Sequence, residues 1–189
     1  PRTTNQFGGP DAVPSQLYDD ARQKQSLTGQ DVLLSYREWK EQLREDTSLS
    51  FTLDYTTAGL FPSNTISGKG SFTSGALRFY GQWEMLGRGT ANTGTLVWKV
   101  ENRHAYSGQP VSAAASDIGL AGAMLSSLSD AGNRMTNLYW KQNLREGRLE
   151  IIGGMLDVTD WTDVYALASP WTGFFNFAFG TGSAAMALP

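Results

Sequence analysis

The sequence predicts an all-β protein of antiparallel strands, led by one amphipathic helix. Apolar and polar residues alternate with period two in several separate stretches after Thr47. Turn-forming clusters of glycine, serine, asparagine and proline separate those stretches. Glycine accounts for 21 of 189 residues and charged residues for only 17%, against norms of roughly 7% and 25%. That balance suits tight turns and pleated surfaces better than charged helix faces, and the length suits about one domain.

Residues 1–30 hold Pro1, Pro10, Pro14, Gly8, Gly9 and Gly29 among polar side chains, which predicts a flexible, irregular arm. Over 31–46 the spacing of Val32, Tyr36, Trp39 and Leu43 predicts an amphipathic helix, with Arg37, Glu38, Lys40 and Glu41 on its other faces. Residues 47–189 form the β region. Leu49, Phe51, Leu53 and Tyr55 alternate against Ser50, Thr52 and Asp54, and the stretch from Gly59 to Gly70 ends that strand. A long second strand sets Leu77, Phe79, Gly81, Trp83 and Met85 against Arg78, Tyr80, Gln82 and Glu84. Beyond the Gly87 to Gly94 turn, Leu96, Trp98 and Val100 alternate with Lys99, Glu101 and Arg103. Val111 to Ser129 is small and apolar and fits either a helix or two short strands. Leu138, Trp140, Gln142 and Leu144 then alternate with Asn137, Tyr139, Lys141 and Asn143, break at Arg145-Glu146-Gly147, and resume as Leu149, Ile151, Gly153 and Met155. This is the clearest hairpin in the chain.

Several function classes fall away on composition. There is no cysteine and a single histidine, His104, so thiolate catalysis, Cys-ligated metals and His-rich sites are excluded. The formal charge of −3 offers no broad attraction to nucleic acid. No run of 18 or more apolar residues forms a membrane helix, but a β-barrel leaves only a weak hydropathy signal. Alternation alone leaves two architectures open. A soluble sandwich turns the apolar face inward, whereas a transmembrane barrel turns it to lipid and lines a lumen with the charged face. Strand length and the position of Trp83, Trp98 and Trp140 on the apolar faces bring the barrel into consideration.

The hairpin carries a family resemblance. Leu138-Tyr139-Trp140-Lys141-Gln142-Asn143-Leu144, followed by Gly147 to Asp157, resembles a hairpin of the OprB-type carbohydrate-selective porins, in which a glycine-rich strand ends in Leu-Asp. Asp160-Trp161 and Phe174 to Phe179 are similar to that family's continuation, and the Trp39–Leu43 helix before the Leu49 strand is similar to its N-terminal segment. The resemblance implies an antiparallel transmembrane β-barrel of sixteen strands. About five are legible here, so the chain reads as an N-terminal portion, completed by further chain, by copies of itself or by another subunit. It also implies an outer membrane of the Gram-negative type, membrane lipid as surroundings, small sugars as passive solutes, ion passage, no cofactor and no reaction.

The expected pore-lining residues are Arg78, Tyr80, Glu84, Lys99, Glu101, Arg103 and Lys141 on the polar faces, with Asp157 at the Leu-Asp end. They offer interleaved donors, acceptors and an aromatic ring, the equipment that replaces a sugar's hydration without tight binding. Lys99 with Glu84 is one expected pair, and reversing Lys99 or Arg103 is expected to shift ion selectivity while folding survives. The bland reading makes all of them solvated charges with cross-strand partners. Glu84, Glu101 and Asp157 have no spacing diagnostic of a glycosidase. Asp157, Asp160 and Asp163 lack the pattern of an EF-hand loop, and Gly87-Arg88-Gly89 reads as a turn. His104, near Ser107 and Ser112 but without a nucleophile elbow, belongs at a strand end. Two other functions stand beside the porin: a non-conducting subunit of a larger membrane assembly, and a soluble sandwich binding glycans or lipids.

Overall fold

The computed structural model describes residues 11–22, 33–68, 70–119, 126–162 and 171. Helices α1 (Val13–Arg22) and α2 (Leu34–Thr47) precede strands β1 (Leu49–Leu60), β2 (Phe72–Leu86) and β3 (Gly94–Gly108). A helical connection containing α3 (Ala114–Asp117) leads to β4 (Gly132–Leu144) and β5 (Leu149–Met155), and then to the single turn α4 (Thr159–Thr162). The five strands form one antiparallel meander in the order β1-β2-β3-β4-β5, so the all-β expectation holds. Among the described residues the sheet is not closed, and β1 and β5 are its edges.

Register keeps the two faces chemically distinct. Leu53 pairs with Phe79, and Phe79 with Val100, on one face; Asp54 pairs with Arg78, and Arg78 with Glu101, on the other. A bulge in β4 opposite Lys99 and Val100 of β3 preserves this separation. Thr136 is the extra residue there, so Asn137 stays with Lys99 while Met135 stays with Val100. The β4–β5 hairpin closes through Arg145, Glu146 and Gly147, all at positive φ, as a right-twisted hairpin turn requires.

Burial is the reverse of that in a soluble half-exposed sheet. Leu53 (59% exposed), Tyr55, Phe79 (41%), Leu138, Ile151 and Met155 face outward, whereas Arg78, Tyr80, Lys99, Glu101 and Arg103 are buried. The cover on the charged face comes from the N-terminal segment. Val13 is buried with Tyr80, Val97 and Tyr139, and Leu17, Ile152, Leu156 and Trp161 pack around them. Val13 and Leu17 lie one helical turn apart and give α1 a narrow apolar stripe. Full burial of Val13 contributes roughly 1.5–3 kcal/mol. A second cluster, Phe72, Val111, Ala114 and Leu128, closes the other end of the same face. There Ser74 Oγ donates to the Leu128 carbonyl at 2.8 Å and accepts from the Val111 amide at 2.9 Å.

Two expectations need correction, and a third is narrowed to one of its alternatives. The arm expected over 1–30 contains a packed helix at Val13–Arg22; two apolar residues among polar ones are too few to announce it locally. Residues 1–10 and 23–30 of that arm lie outside the described residues. The second helix runs Leu34–Thr47, with Asp31 and Val32 outside the description, and ends where Ser48 turns left-handed and its amide donates to the Arg44 carbonyl. None of its residues is buried. The segment after Val111 is helical where described, with 3₁₀ turns at Val111–Ala113 and Ser126–Leu128 around α3, and Leu120, Met124 and Leu125 lie outside the description. So do Asp163 and Phe174 to Phe179.

Candidate functional site

Period-two geometry brings Arg78, Tyr80, Lys99, Glu101 and Arg103 onto one wall, the face beneath α1, α4 and Trp171. Arg78 is held by Asp54 of β1: its Nε donates to Oδ1 at 2.8 Å and its Nη2 to Oδ2 at 2.5 Å. The Trp171 ring lies 4.0 Å from the guanidinium carbon on another side. The Tyr80 hydroxyl donates to Asp54 Oδ2 at 3.2 Å. Arg103 Nε donates to Glu101 Oε2 at 2.7 Å, two residues along the same strand and therefore on the same face. Fork-shaped guanidinium–carboxylate pairing of this kind suits Arg in a buried wall.

Lys99, 1% exposed, does not meet Glu84. The register places Glu84 opposite Thr95 and Lys99 opposite Tyr80, so the expected Lys99–Glu84 pair is overturned. The Lys99 partners arrive from outside the sheet: Nζ lies 3.6 Å from Asp11 Oδ2 and 3.7 Å from Asp160 Oδ1, and donates to the Asp11 carbonyl at 3.3 Å. Asp160 sits on α4, 1% exposed, with Oδ2 accepting from Asn137 Nδ2 at 2.8 Å. Its Oδ1 has no hydrogen bond among the described residues. Burial pushes its carboxyl up to about 6; Lys99 opposes the shift, Asp11 adds to it, Asn137 opposes it and Asp157 adds to it.

Two of the remaining expected residues, Glu84 and Lys141, lie toward the end of the sheet near the β2–β3 and β4–β5 turns, away from α1. Glu84 and Lys141 border an open recess of about 290 Å³ with Ser50, Gln82, Thr95 and Asn143. Lys141 Nζ is 3.8 Å from Glu150 Oε2. Asp157 follows β5, half-buried, at the other end of that strand, and raises the Asp160 carboxyl. Glu84 and Glu101 are not a carboxylate pair: Glu101 lies six residues along β3 from Thr95, the partner of Glu84, or ~20 Å at strand rise. Asp160 faces Lys99 and Asn137 rather than Asp157. Gly87-Arg88-Gly89 is a turn, as expected, and His104 sits near the end of β3 on the outward face. There His104 Nε2 shares a hydrogen bond of 2.9 Å with the Tyr55 hydroxyl, which also bonds the Tyr106 hydroxyl.

Asp11, Asp20 and Trp171 were not foreseen. Asp20 Oδ2 accepts from Thr52 Oγ1 at 2.9 Å and from Lys40 Nζ at 3.0 Å, tying α1 to β1 and α2. Asp54 and Asn137 were legible as part of the polar faces of β1 and β4; Asp11, Asp20 and Trp171 carry no local signal.

On the opposite face the rings form a chain: Tyr36, Trp39, Phe51, Phe79 and Trp98, each within about 6.1 Å of the next. Glycines sit under the larger rings. A Cβ at Gly81 would clash with the Trp98 ring and lie 2.6 Å from the Ser50 carbonyl oxygen, the arrangement in which an aromatic covers a strand glycine. Trp83 marks one end of the apolar band, and the Tyr55–His104–Tyr106 cluster over Gly75 marks the other. Eight residues of β2 separate them, ~27 Å along the strand, or roughly 21 Å at a 40° tilt.

Comparison with family models, with curated proteins and with solved structures finds no match for this chain.

Proposed function

We propose that this chain forms part of an outer-membrane β-barrel and that the barrel passes small carbohydrates by passive diffusion. The observation that carries the reading is the inverted sheet. Its aromatic and aliphatic face is left outward while its charged face is covered. In water, an exposed apolar face of this extent is an aggregation hazard; against lipid it is the favourable surface. The aromatic clusters at both ends and a band of roughly 21–27 Å match the ~25 Å girdled belt of such barrels. The edges β1 and β5 then pair with further strands, because an unpaired backbone group in lipid costs several kcal/mol.

Within that class, the carbohydrate assignment rests on the chemistry of the wall. Ser50, Gln82, Thr95 and Asn143 in the open recess, with Arg44, Glu84 and Lys141, supply hydroxyls, amides and charges of both signs. Such a lining exchanges hydrogen bonds with sugar hydroxyls at several weak sites and selects no single ion strongly. The resemblance of the β4–β5 hairpin to OprB-type porins supports the same solute class. Because α1 lies across the charged wall, a second reading is a non-conducting subunit of a larger membrane assembly.

The test is reconstitution of the protein extracted from membranes. Stepwise conductance in planar bilayers and swelling of vesicles in glucose are expected. A membrane-inserted protein that neither conducts nor passes glucose supports the second reading. A protein that stays monodisperse without detergent refutes both.

A further inference from the structure

Asp11 places a carboxylate against the wall from outside the sheet. Its Oδ1 accepts from Trp171 Nε1 at 2.6 Å and from Gln16 Nε2 at 2.5 Å, and lies 3.5 Å from Arg78 Nη1. Its Oδ2 lies 3.6 Å from Lys99 Nζ. Of these groups only Gln16 belongs to α1. Arg78 is held independently of it by the two bonds to Asp54, Lys99 Nζ also faces Asp160 at 3.7 Å, and the Trp171 ring lies 4.0 Å from the Arg78 guanidinium carbon. Two cations and an indole N–H thus converge on one carboxylate, and donors fixed before binding lose little entropy when a ligand arrives.

We propose that Arg78, Lys99 and Trp171 form a carboxylate-binding site, that Asp11 occupies it as a tethered internal ligand, and that a small sugar acid competes for it and lifts the Asp11 end of α1 from the wall. The Asp11 side chain is 24% exposed, so an incoming carboxylate can reach the donors stepwise. The neighbouring Tyr80 hydroxyl, Asp54, Glu101 and Asn137 suit a hydroxyl-rich body attached to the carboxylate. Neutral sugars lack the group that Arg78 and Lys99 recognise. A short tether presents Asp11 at an effective concentration on the order of millimolar, so a free acid competes in the same range. The opposite end of α1 stays anchored through Asp20 to Thr52 and Lys40. Opening of a lumen by this displacement rests on the porin reading; the binding itself does not.

The chain contains no cysteine, so Leu17→Cys introduces its sole thiol, on the face of α1 packed against Tyr80, Val97 and Tyr139. The rate of maleimide labelling of that thiol in the full chain reports release of α1. Gluconate is expected to raise the rate several-fold over chloride and over glucose at matched ionic strength. Adding Asp11→Asn is expected to give fast labelling in all three solutions, with no further effect of gluconate. Because Asp11→Asn removes the competitor, it is also expected to bind gluconate several-fold more tightly than the parent chain by calorimetry, which a merely loosened structure would not do. Equal labelling in gluconate and chloride, or no gain in gluconate affinity in Asp11→Asn, overturns the proposal. A chain that shows the labelling and binding effects but never conducts keeps the site and refutes the porin reading.

Discussion

A lysine placed at Phe79 distinguishes lipid from water as the medium of the outward face. Phe79 lies on β2 four residues from Trp83 and four from Gly75, ~14 Å of strand from either aromatic end, which makes it the middle of the band. Its ring contacts Phe51 and Trp98 at centroid distances of 6.0 Å. Losing those two aromatic pairs removes about 0.5–1.5 kcal/mol each in any medium, so Phe79→Ala is the reference. Relative to that alanine, Phe79→Lys is expected to cost a further ~2–4 kcal/mol if the site is at the bilayer midplane, against ~0–1 kcal/mol near the interface. The same Lys-minus-Ala difference at Leu77 should be intermediate, and at Leu86, beyond Trp83, near zero. The assay is urea unfolding from vesicles, read by tryptophan fluorescence, for the three lysine and three alanine variants. A flat profile across positions 77, 79 and 86, with each difference below about 0.5 kcal/mol, would refute the lipid assignment. Water does not distinguish the centre of an exposed face from its ends.

Other expectations follow from the wall and its cover. Arg103→Gln leaves the buried Glu101 carboxylate, 2% exposed, without its fork and is expected to cost about 3–5 kcal/mol in urea unfolding. Lys141→Gln, whose partner Glu150 is 3.8 Å away and exposed, should cost under ~1 kcal/mol and shift bilayer ion selectivity toward cations. Deletion at Lys141 therefore tests selectivity more cleanly than reversal at Lys99 or Arg103, because those two are buried and reversal strands a charge. The Asp160 carboxyl sits at about 6 in the folded protein against 3.8, so the folded state holds this proton more tightly than the unfolded chain. Stability from this group is fully present below about pH 4, falls by about 3 kcal/mol as pH rises toward 6, and levels above that. Asp160→Asn should remove the slope in unfolding midpoints measured across that window. Gly154→Ala is expected to lose about 1–3 kcal/mol and fray β5, visible in amide exchange, since Gly154 has φ +136° and its Cβ would lie 2.5 Å from the Leu138 carbonyl oxygen.

Much of this structure was legible because it is local. The strands from Leu49, Leu77, Leu96 and Leu138, and the turns at Gly87–Gly94 and Arg145–Gly147, follow from alternation and turn chemistry among near neighbours. So does the partition of residues between two faces: once Leu53 and Asp54 point oppositely, Phe79 and Arg78 must follow through the register. The wall residues Arg78, Tyr80, Lys99, Glu101 and Arg103 were therefore identifiable together. Their partners were not. Asp11 meets Trp171 across 160 residues and Lys99 across 88, and no periodicity reports a contact at that range. By itself the sequence determined the strands, their order of alternation and the two chemical faces, because a period of two is a property of the extended backbone. Which face is covered was decided only in the tertiary structure. Alternation is symmetric between inside and outside, and it took Val13 and Leu17 of α1, with Asp160 of α4, packing on the charged side to leave the aromatic side outward.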